Sequence, residues 1–150
     1  ETAPDAMEEV RQHGRRSSAL CGTLDLARTI LEAAGVAPFN GMQGASMGPV
    51  LAGSRSRHHD AVLIEEEGQR TYLGFDGPVR MRTLVTDRHR LSVYERAAWG
   101  ELYDLDDDPH EMRNLWDVPS AATIRADLVG QLAQQMIAMT DRSPLPTHLA

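Results

Sequence analysis

The stretch of residues 60–105 consists of short segments in which apolar and polar residues alternate, and this pattern constrains the fold more than any other. In "VRMRTLVT", Val79, Met81, Thr83 and Val85 alternate with Arg80, Arg82 and Leu84. Period-two alternation predicts strands with one buried face. The segments "DAVLIEEE", "RLSVY" and "ELYDL" have similar character, and the polar connection "DRH" between two of the segments favours an antiparallel hairpin. The sequence therefore predicts a small antiparallel sheet of about four strands.

Helical periodicity flanks the predicted sheet on both sides. In "TLDLARTILEAAG" the apolar residues fall on one face and Asp25 on the opposite, polar stripe, with Thr23 as the expected N-cap and Gly35 as the end. In "SAATIRADLVGQLAQQMIAMTDR" leucines and methionines recur at helical spacing after Ser120, the expected N-cap. The glycine-rich and proline-rich segment "VAPFNGMQGASMGPVLAG" should be a loop with one short helical turn near residues 47–51. The order helix, loop, sheet, helix predicts an α+β fold.

The polar N-terminal segment indicates where the natural chain begins, and the net charge limits which partners it can bind. The stretch "ETAPDAMEEVRQHGRR" begins with Glu1, so we expect a linker or loosely ordered helix whose natural start lies upstream. A net charge of −7 disfavours nucleic acid and anionic lipid as partners. No stretch approaches the roughly 20 apolar residues of a membrane helix, so we expect a soluble protein and leave open whether it is cytoplasmic or periplasmic. A single cysteine, Cys21, excludes an intramolecular disulfide framework.

The acidic segment "ELYDLDDDPHEMRNL" raises the question of a metal site. Asp104, Asp106 and Asp108 occupy alternating positions, as in a calcium-binding loop. Such a loop then needs a glycine at its bend and a glutamate at its last position, where this chain has Pro109 and Leu115. The spacing therefore argues against calcium.

A structural interpretation explains more of the same segment. Asp108 as N-cap, Pro109 at the first helical position and Glu111 at the third would form a capping box. Each such cap is typically worth about 1 kcal/mol. The pattern predicts the end of a strand followed by the capped start of a helix, with His110 on the surface.

Two further patterns suggest chemistry only weakly. "GASMG", residues 44–48, matches the G-x-S-x-G nucleophile elbow, but no apolar strand precedes it and Pro49 follows directly, which favours a glycine loop. His58 and His59 are adjacent, and on a strand they would face opposite sides. Neither residue belongs to an H-E-x-x-H motif, so a solvated loop is the simpler interpretation.

Taken in order, four segments resemble the C-terminal part of the sulfatase family in the alkaline phosphatase superfamily. "LDLARTILEAAGV" is similar to the family's D-x-x-x-T-I-L-x-x-A-G-V helix, and "MQGASMGPVLAG" to its Q-G-x-S-L-x-P-x-L-x-G loop. "VRMRTLVTDRHRLSVY" is similar to the R-x-x-R-T-x-x-Y-K-Y strand pair, and "ELYDLDDDPHEMRNL" to the signature E-L-Y-D-L-x-x-D-P-x-E-x-x-N-L. The resemblance runs in one consistent order from about residue 17 to about residue 139.

This resemblance implies a division of the chain into two parts. Residues 1–53 would be the linker, helix and loop at the end of the large alkaline-phosphatase-like α/β domain. Residues 54–150 would be a C-terminal subdomain in which the antiparallel sheet packs with the terminal helix.

The resemblance also implies where the chemistry lies. Sulfatases hydrolyse sulfate esters with a formylglycine made from the Cys or Ser of C-x-P-x-R, beside a divalent cation that is usually calcium. Cys21 and Ser92 begin "CGTLD" and "SVYER", which lack the proline of that motif, so neither is carried over as the nucleophile. The family's metal carboxylates belong to the larger N-terminal domain. The implied catalytic and metal residues are therefore absent from this chain, and its implied partner is an upstream catalytic domain that binds the sulfate ester.

The candidates for a direct contribution from this chain are Arg57, His58 and His59, which could shape the substrate rim. A phosphonate or phosphate-ester hydrolase of the same superfamily remains an alternative, because this end of the chain does not select sulfur over phosphorus. A stand-alone, non-catalytic interaction module and a calcium-binding module also remain open. The nucleophile motif upstream of Glu1 would discriminate among these functions.

Overall fold

The computed structural model describes residues 16–71 and 75–140, which form two compact units. The first unit comprises the described residues 16–60 and 139–140, and the second those within 61–138. The opening segment, predicted to be a linker or loose helix, falls mostly outside the described residues. The predicted boundary between residues 53 and 54 concerns the parts of a larger protein and stays a prediction.

The second unit contains a four-stranded antiparallel sheet in the order β1-β2-β3-β4. The strands are β1 (Ala61–Thr71), β2 (Pro78–Thr86), β3 (His89–Tyr94) and β4 (Gly100–Asp104). Each strand pairs with its neighbour in sequence, so the sheet is a simple meander. The sheet predicted from the alternating segments is confirmed in strand number and antiparallel direction.

The core of this unit lies between the sheet and the helix α3 (Ala122–Ala138). Leu84, Leu91 and Leu102 stand opposite one another across β2, β3 and β4 and have no exposed surface. Leu128 and Leu132, one helical turn apart on α3, pack against this row. The predicted helical stripe therefore forms the core as expected, although Met136 at its far end is 41% exposed.

The start of α3 differs from the prediction. Ser120 lies inside a 3-10 turn, Pro119–Ala121, instead of capping the helix. Val118 precedes this turn in extended conformation and accepts the amide of Ala121. Pro119 explains the difference, because its fixed φ and missing N–H favour the first position of a helical turn, which moves the cap two residues upstream, from Ser120 to Val118.

The helix predicted after Asp108 is wrong. Residues 105–118 form turns, and Glu111, expected at the third helical position, has a φ of 55°. A left-handed residue cannot continue a right-handed helix. The Asp108 carboxylate does accept a backbone amide, as a cap would, but from Arg113 at 2.7 Å, which closes a turn.

The second half of this loop covers the outer edge of β4. The side-chain oxygen of Asn114 accepts the amide of Leu102 at 3.0 Å, and its side-chain nitrogen donates to the carbonyl of Gly100 at 2.9 Å. The amide of Leu115 donates to the carbonyl of Leu102 at 2.7 Å. These bonds satisfy backbone groups that an edge strand otherwise leaves to solvent.

The first unit contains α1 (Thr23–Ala33) and the single-turn α2 (Gly48–Leu51), which confirms the predicted helix and the helical turn in the loop. The predicted N-cap, Thr23, is the first helical residue, and Gly22 is the cap. The amide of Gly22 donates to the Asp25 carboxylate at 2.7 Å, so the start of the helix is capped although Gly22 has no side chain. Gly35, with a φ of 68°, follows the helix as predicted. Within the described ranges, no helix combines the length and apolar character that crossing a bilayer requires.

Candidate functional site

A buried carboxylate on the first turn of α1 organises the first unit. The side chain of Asp25 is 1% exposed, although the polar stripe that includes this residue was predicted to face solvent. Its Oδ2 accepts the amide of Gly22 at 2.7 Å and its Oδ1 accepts the amide of Ala45 at 2.9 Å. Burial raises the pKa of Asp25, but the two amides and His59 outweigh it and hold this pKa below its usual value.

Two histidines from the segment before β1 converge on the same carboxylate. His59 Nε2 lies 3.0 Å from Oδ1 and 2.9 Å from Oδ2 of Asp25. His58 Nε2 lies 3.4 Å from Oδ2. The two residues precede β1, where His59 forms an isolated bridge with Leu20, so the alternation of a regular strand does not apply to them. The simpler expectation of a solvated loop is wrong for His58, whose side chain is 8% exposed. The Asp25 cluster, defined as Asp25, His58 and His59, brings three metal-ligating atoms within 4.8 Å of one another.

Arg57, the third predicted rim residue, does not join this cluster. Its guanidinium pairs with the carboxylate of Asp60 at 3.1 Å, and its side chain is 63% exposed. The structure therefore separates one exposed cation from two inward-facing imidazoles within a three-residue segment.

The "GASMG" segment is a loop held against α1. Thr29 Oγ1 donates to the carbonyl of Asp25 at 2.6 Å and accepts the amide of Met47 at 2.9 Å. Gly44 adopts a φ of 84° and lies against the backbone of Leu24. No strand stands between α1 and α2 in this described part of the chain, so the strand-to-helix turn of a nucleophile elbow is not formed.

Neither Cys21 nor Ser92 has the environment of a nucleophile or formylglycine precursor. Ser92 is fully buried in β3, where its hydroxyl lies 2.7 Å from that of Thr83. Cys21 donates to the carbonyl of Ala19, and burial together with the charge of Asp25 raises the pKa of its thiol. A raised pKa lowers the thiolate fraction that nucleophilic attack requires. The formylglycine of the resemblance does not fit these residues.

In the acidic segment, the Asp104 carboxylate binds an arginine and stabilises a turn. Arg88 donates from Nε and Nη2 to the Asp104 carboxylate at distances of 2.7 to 3.2 Å. The amides of Asp106 and Asp107 also donate to Oδ1 of Asp104. Calcium requires six to eight oxygen ligands directed inward, so a carboxylate already committed to an arginine and two amides does not fit a calcium loop.

Acidification should weaken the contribution of Asp104 to stability. Hydrogen bonds from Arg88 lower the pKa of Asp104 to about 2 from a usual value of 3.8. Because the folded pKa is the lower one, the stabilisation is complete above about pH 4 and disappears as the pH falls toward 2. We expect about 1 kcal/mol, since the Arg88 side chain is 55% exposed and solvent screens the pair.

The measurement is the difference in unfolding free energy between the parent chain and Asp104→Asn, determined by urea denaturation between pH 2 and 7. Asp106→Asn is the matched control, because Asp106 lies 3.8 Å from the same guanidinium but is 68% exposed. The control should lose less stability at neutral pH. A difference for Asp104→Asn that stays constant down to pH 2 contradicts the assignment.

Residues 6–138 match the family described as "N-sulphoglucosamine sulphohydrolase, C-terminal". A Delta 4,5-hexuronate-2-O-sulfatase of Bacteroides thetaiotaomicron is 31% identical over 106 residues, which cover 70% of this chain and 21% of that protein.

Two solved structures resemble the described chain closely in fold. A 2-O GAG sulfatase has a TM-score of 0.75 and 26% identity, over 89% of this chain and 29% of its own. A phosphonate monoester hydrolase from Silicibacter pomeroyi has a TM-score of 0.71 and 25% identity, over 83% of this chain and 26% of its own. The chain thus spans between a fifth and a third of the length of the proteins it matches.

Proposed function

Because this chain belongs to the N-sulphoglucosamine sulphohydrolase C-terminal family, we propose that it is the C-terminal part of a sulfuric ester hydrolase. The observation that carries the proposal is the match over residues 6–138, which spans both units of the chain. The resemblance drawn from the four sequence segments is confirmed by this match and by the sulfatase that is 31% identical. The sheet and terminal helix are also those of the sulfatase structures.

We assign the chemical step to an upstream catalytic domain. Cys21 and Ser92 do not suit a formylglycine, and the acidic segment does not suit calcium, so both groups are proposed for that domain. Its substrate class is a sulfate ester. The role left to this chain is to complete the fold and to contribute to the surface around the substrate.

The apolar face of α1 supports an upstream partner. Leu24, Leu26 and Ile30 are between 46% and 65% exposed, and Val36 and Phe39 beyond the helix are 51% and 67% exposed. Fully burying one such side chain is worth about 1.5 to 3 kcal/mol. Leu26 and Ile30 are one helical turn apart and share a face, and exposed apolar patches typically mark interaction surfaces. The proposed catalytic domain would cover it.

The substrate-rim role of Arg57, His58 and His59 stays a proposal. The three side chains differ in how far they are exposed to a substrate. The Arg57 side chain is 63% exposed and carries the charge that a sulfate group prefers. His58 directs Nε2 inward and its side chain is only 8% exposed. The rim role therefore rests on Arg57 and on the exposed part of His59, whose side chain is 30% exposed.

The proposal is tested by assaying this chain with an aryl sulfate, alone and as part of a longer chain that includes the upstream sequence. We expect no turnover by the 150-residue chain and turnover by the longer one. Arg57→Ala in the longer chain should raise KM with little change in kcat, with Arg55→Ala as a neighbouring control. Turnover by the 150-residue chain alone would disprove this division of labour.

A phosphonate or phosphate-ester hydrolase is the second candidate, favoured by the likeness to the phosphonate monoester hydrolase of Silicibacter pomeroyi. The same longer chain assayed with an aryl phosphonate monoester distinguishes the two. A higher kcat/KM for the phosphonate than for the sulfate would establish the second candidate instead of the first.

A further inference from the structure

We propose that the Asp25 cluster binds one zinc ion through a carboxylate oxygen of Asp25 and the Nε2 atoms of His58 and His59. Two imidazoles and one carboxylate form a donor set typical of zinc and related transition metals. Calcium and magnesium prefer oxygen ligands, so this is not a site for either ion. The proposal concerns the first unit alone and does not depend on which ester the parent protein hydrolyses.

The buried Nε2 atom of His58 is not explained by a simple contact between a histidine and a carboxylate. Its Nε2 is buried and has no hydrogen-bond partner, although it points toward Oδ2 of Asp25 at 3.4 Å. Leaving a buried polar atom unsatisfied costs about 1 to 3 kcal/mol. A cation bound between the imidazoles and the carboxylate would be coordinated by the lone pair of this nitrogen.

The distances within the cluster are those of ligands that share one ion. Donors about 2.0 to 2.2 Å from a zinc ion, at tetrahedral angles, lie about 3.3 to 3.6 Å from one another, and closer at smaller angles. The nitrogens of His59 and His58 lie 2.9 Å and 3.4 Å from Oδ2 of Asp25. All three donor atoms lie within 4.8 Å of one another, so movements of the side chains can bring them to a common ion.

The carboxylate is held in place before any ion binds. Amides of Gly22 and Ala45 donate to its two oxygens, which leaves each oxygen a further lone pair. Outer hydrogen bonds of this kind fix the orientation of metal ligands and raise affinity. With neutral imidazoles the cluster carries one negative charge, which complements a dication.

The bound ion would link distant parts of the first unit. Asp25 lies in the first turn of α1, and His59 is 34 residues further along the chain. Asp25 and His58 are nearly buried, while the side chain of His59 is 30% exposed, so solvent can reach the cluster beside His59. With three protein ligands, the ion would keep a water at its fourth position and would also fix α1 to the segment at residues 57–60.

Zinc affinity is measured on the 150-residue chain by competition with a chromogenic chelator, after treatment with EDTA. We expect one ion per chain and a rise in melting temperature on adding zinc. His58→Gln and His59→Gln should each weaken binding by about a hundredfold or more, since losing an outer hydrogen bond alone costs 10- to 100-fold. Cobalt substitution should give the visible absorption of nitrogen and oxygen ligation, lost in both variants.

His110→Gln is the matched control, because this exposed histidine lies in the other unit. It should leave zinc affinity unchanged, and calcium should not raise the melting temperature of any variant. Circular dichroism establishes that each variant keeps its helices before titration. Zinc binding by His58→Gln and His59→Gln as tight as by the parent chain, or no binding by the parent chain, overturns the proposal.

Discussion

Gly44→Ala is expected to destabilise the first unit by about 3 kcal/mol. Gly44 has a φ of 84°, where an alanine is strained. A Cβ at this position would lie 2.6 Å from the carbonyl oxygen of Leu24 and 2.7 Å from its carbonyl carbon. These are backbone atoms of α1 and cannot rotate away, so the loop must withdraw from the helix. The amide of Ala45, next in the chain, would then lose its bond to Asp25.

Gly35→Ala is the matched control for this substitution. Gly35 also has a positive φ, 68°, but a Cβ there would meet nothing within 4 Å. It should therefore show only the cost of the left-handed backbone, about 1 kcal/mol. Hydrogen exchange of the α1 amides measures both effects within the first unit. Equal losses of protection in the two variants would mean that the close approach to Leu24 does not matter.

Leu91→Ala is expected to destabilise the second unit by about 3 kcal/mol. Leu91 lies in β3, between Leu84 on β2 and Leu102 on β4, and has no exposed surface. Truncation removes three buried carbons and leaves a cavity that two paired strands cannot easily close. Trp99 and Trp116 belong to this unit, and Trp116 packs against the core. Tryptophan fluorescence during urea denaturation therefore follows the relevant unfolding.

Met112→Ala controls for the loss of apolar side-chain volume. Met112 is 84% exposed in the loop after β4, so its truncation should change the unfolding free energy by no more than about 0.5 kcal/mol. If Leu91→Ala changed the urea midpoint as little as Met112→Ala does, the core described between the sheet and α3 would be incorrect.

The strands were predictable because alternating segments and short connections are local signals in the sequence. Leu84 lies on the face that packs with α3, although the pattern groups it with Arg80 and Arg82. Thr83 and Ser92 on the opposite face are also buried, so the pattern predicts the strands but not which face forms the core. The connection at Asp87 and Arg88 is short enough to permit only a hairpin. In this unit the sequence-based expectation and the structure differ mainly at loop and helix ends.

The loop after β4 was mispredicted because a local signal competes with a distant one. Asp108 and Pro109 fit a helix start, and the local pattern contains nothing against it. Asn114 then bonds to backbone atoms of β4 that are 12 and 14 residues away. Those bonds, with the left-handed Glu111, fix turns in place of a helix, and no window of neighbouring residues contains this information.

The Asp25 cluster was missed for a related reason. On a helical wheel Asp25 belongs to the polar stripe, and its burial depends on Ala45 and His59, which are 20 and 34 residues further along. A signal was present in "GTLD", since an aspartate three residues after a glycine can accept that glycine's amide. The pattern indicates a cap, but it does not indicate that two imidazoles join it.

The meander of the second unit also bears on how quickly it folds. Every strand pairs with the strand next to it in sequence, and α3 follows directly on the loop after β4. Short loops close with little loss of entropy, and a low average separation between contacting residues correlates with fast folding. We expect this unit to refold in milliseconds, with the β2–β3 hairpin pairing early and β1 and β4 adding to either side.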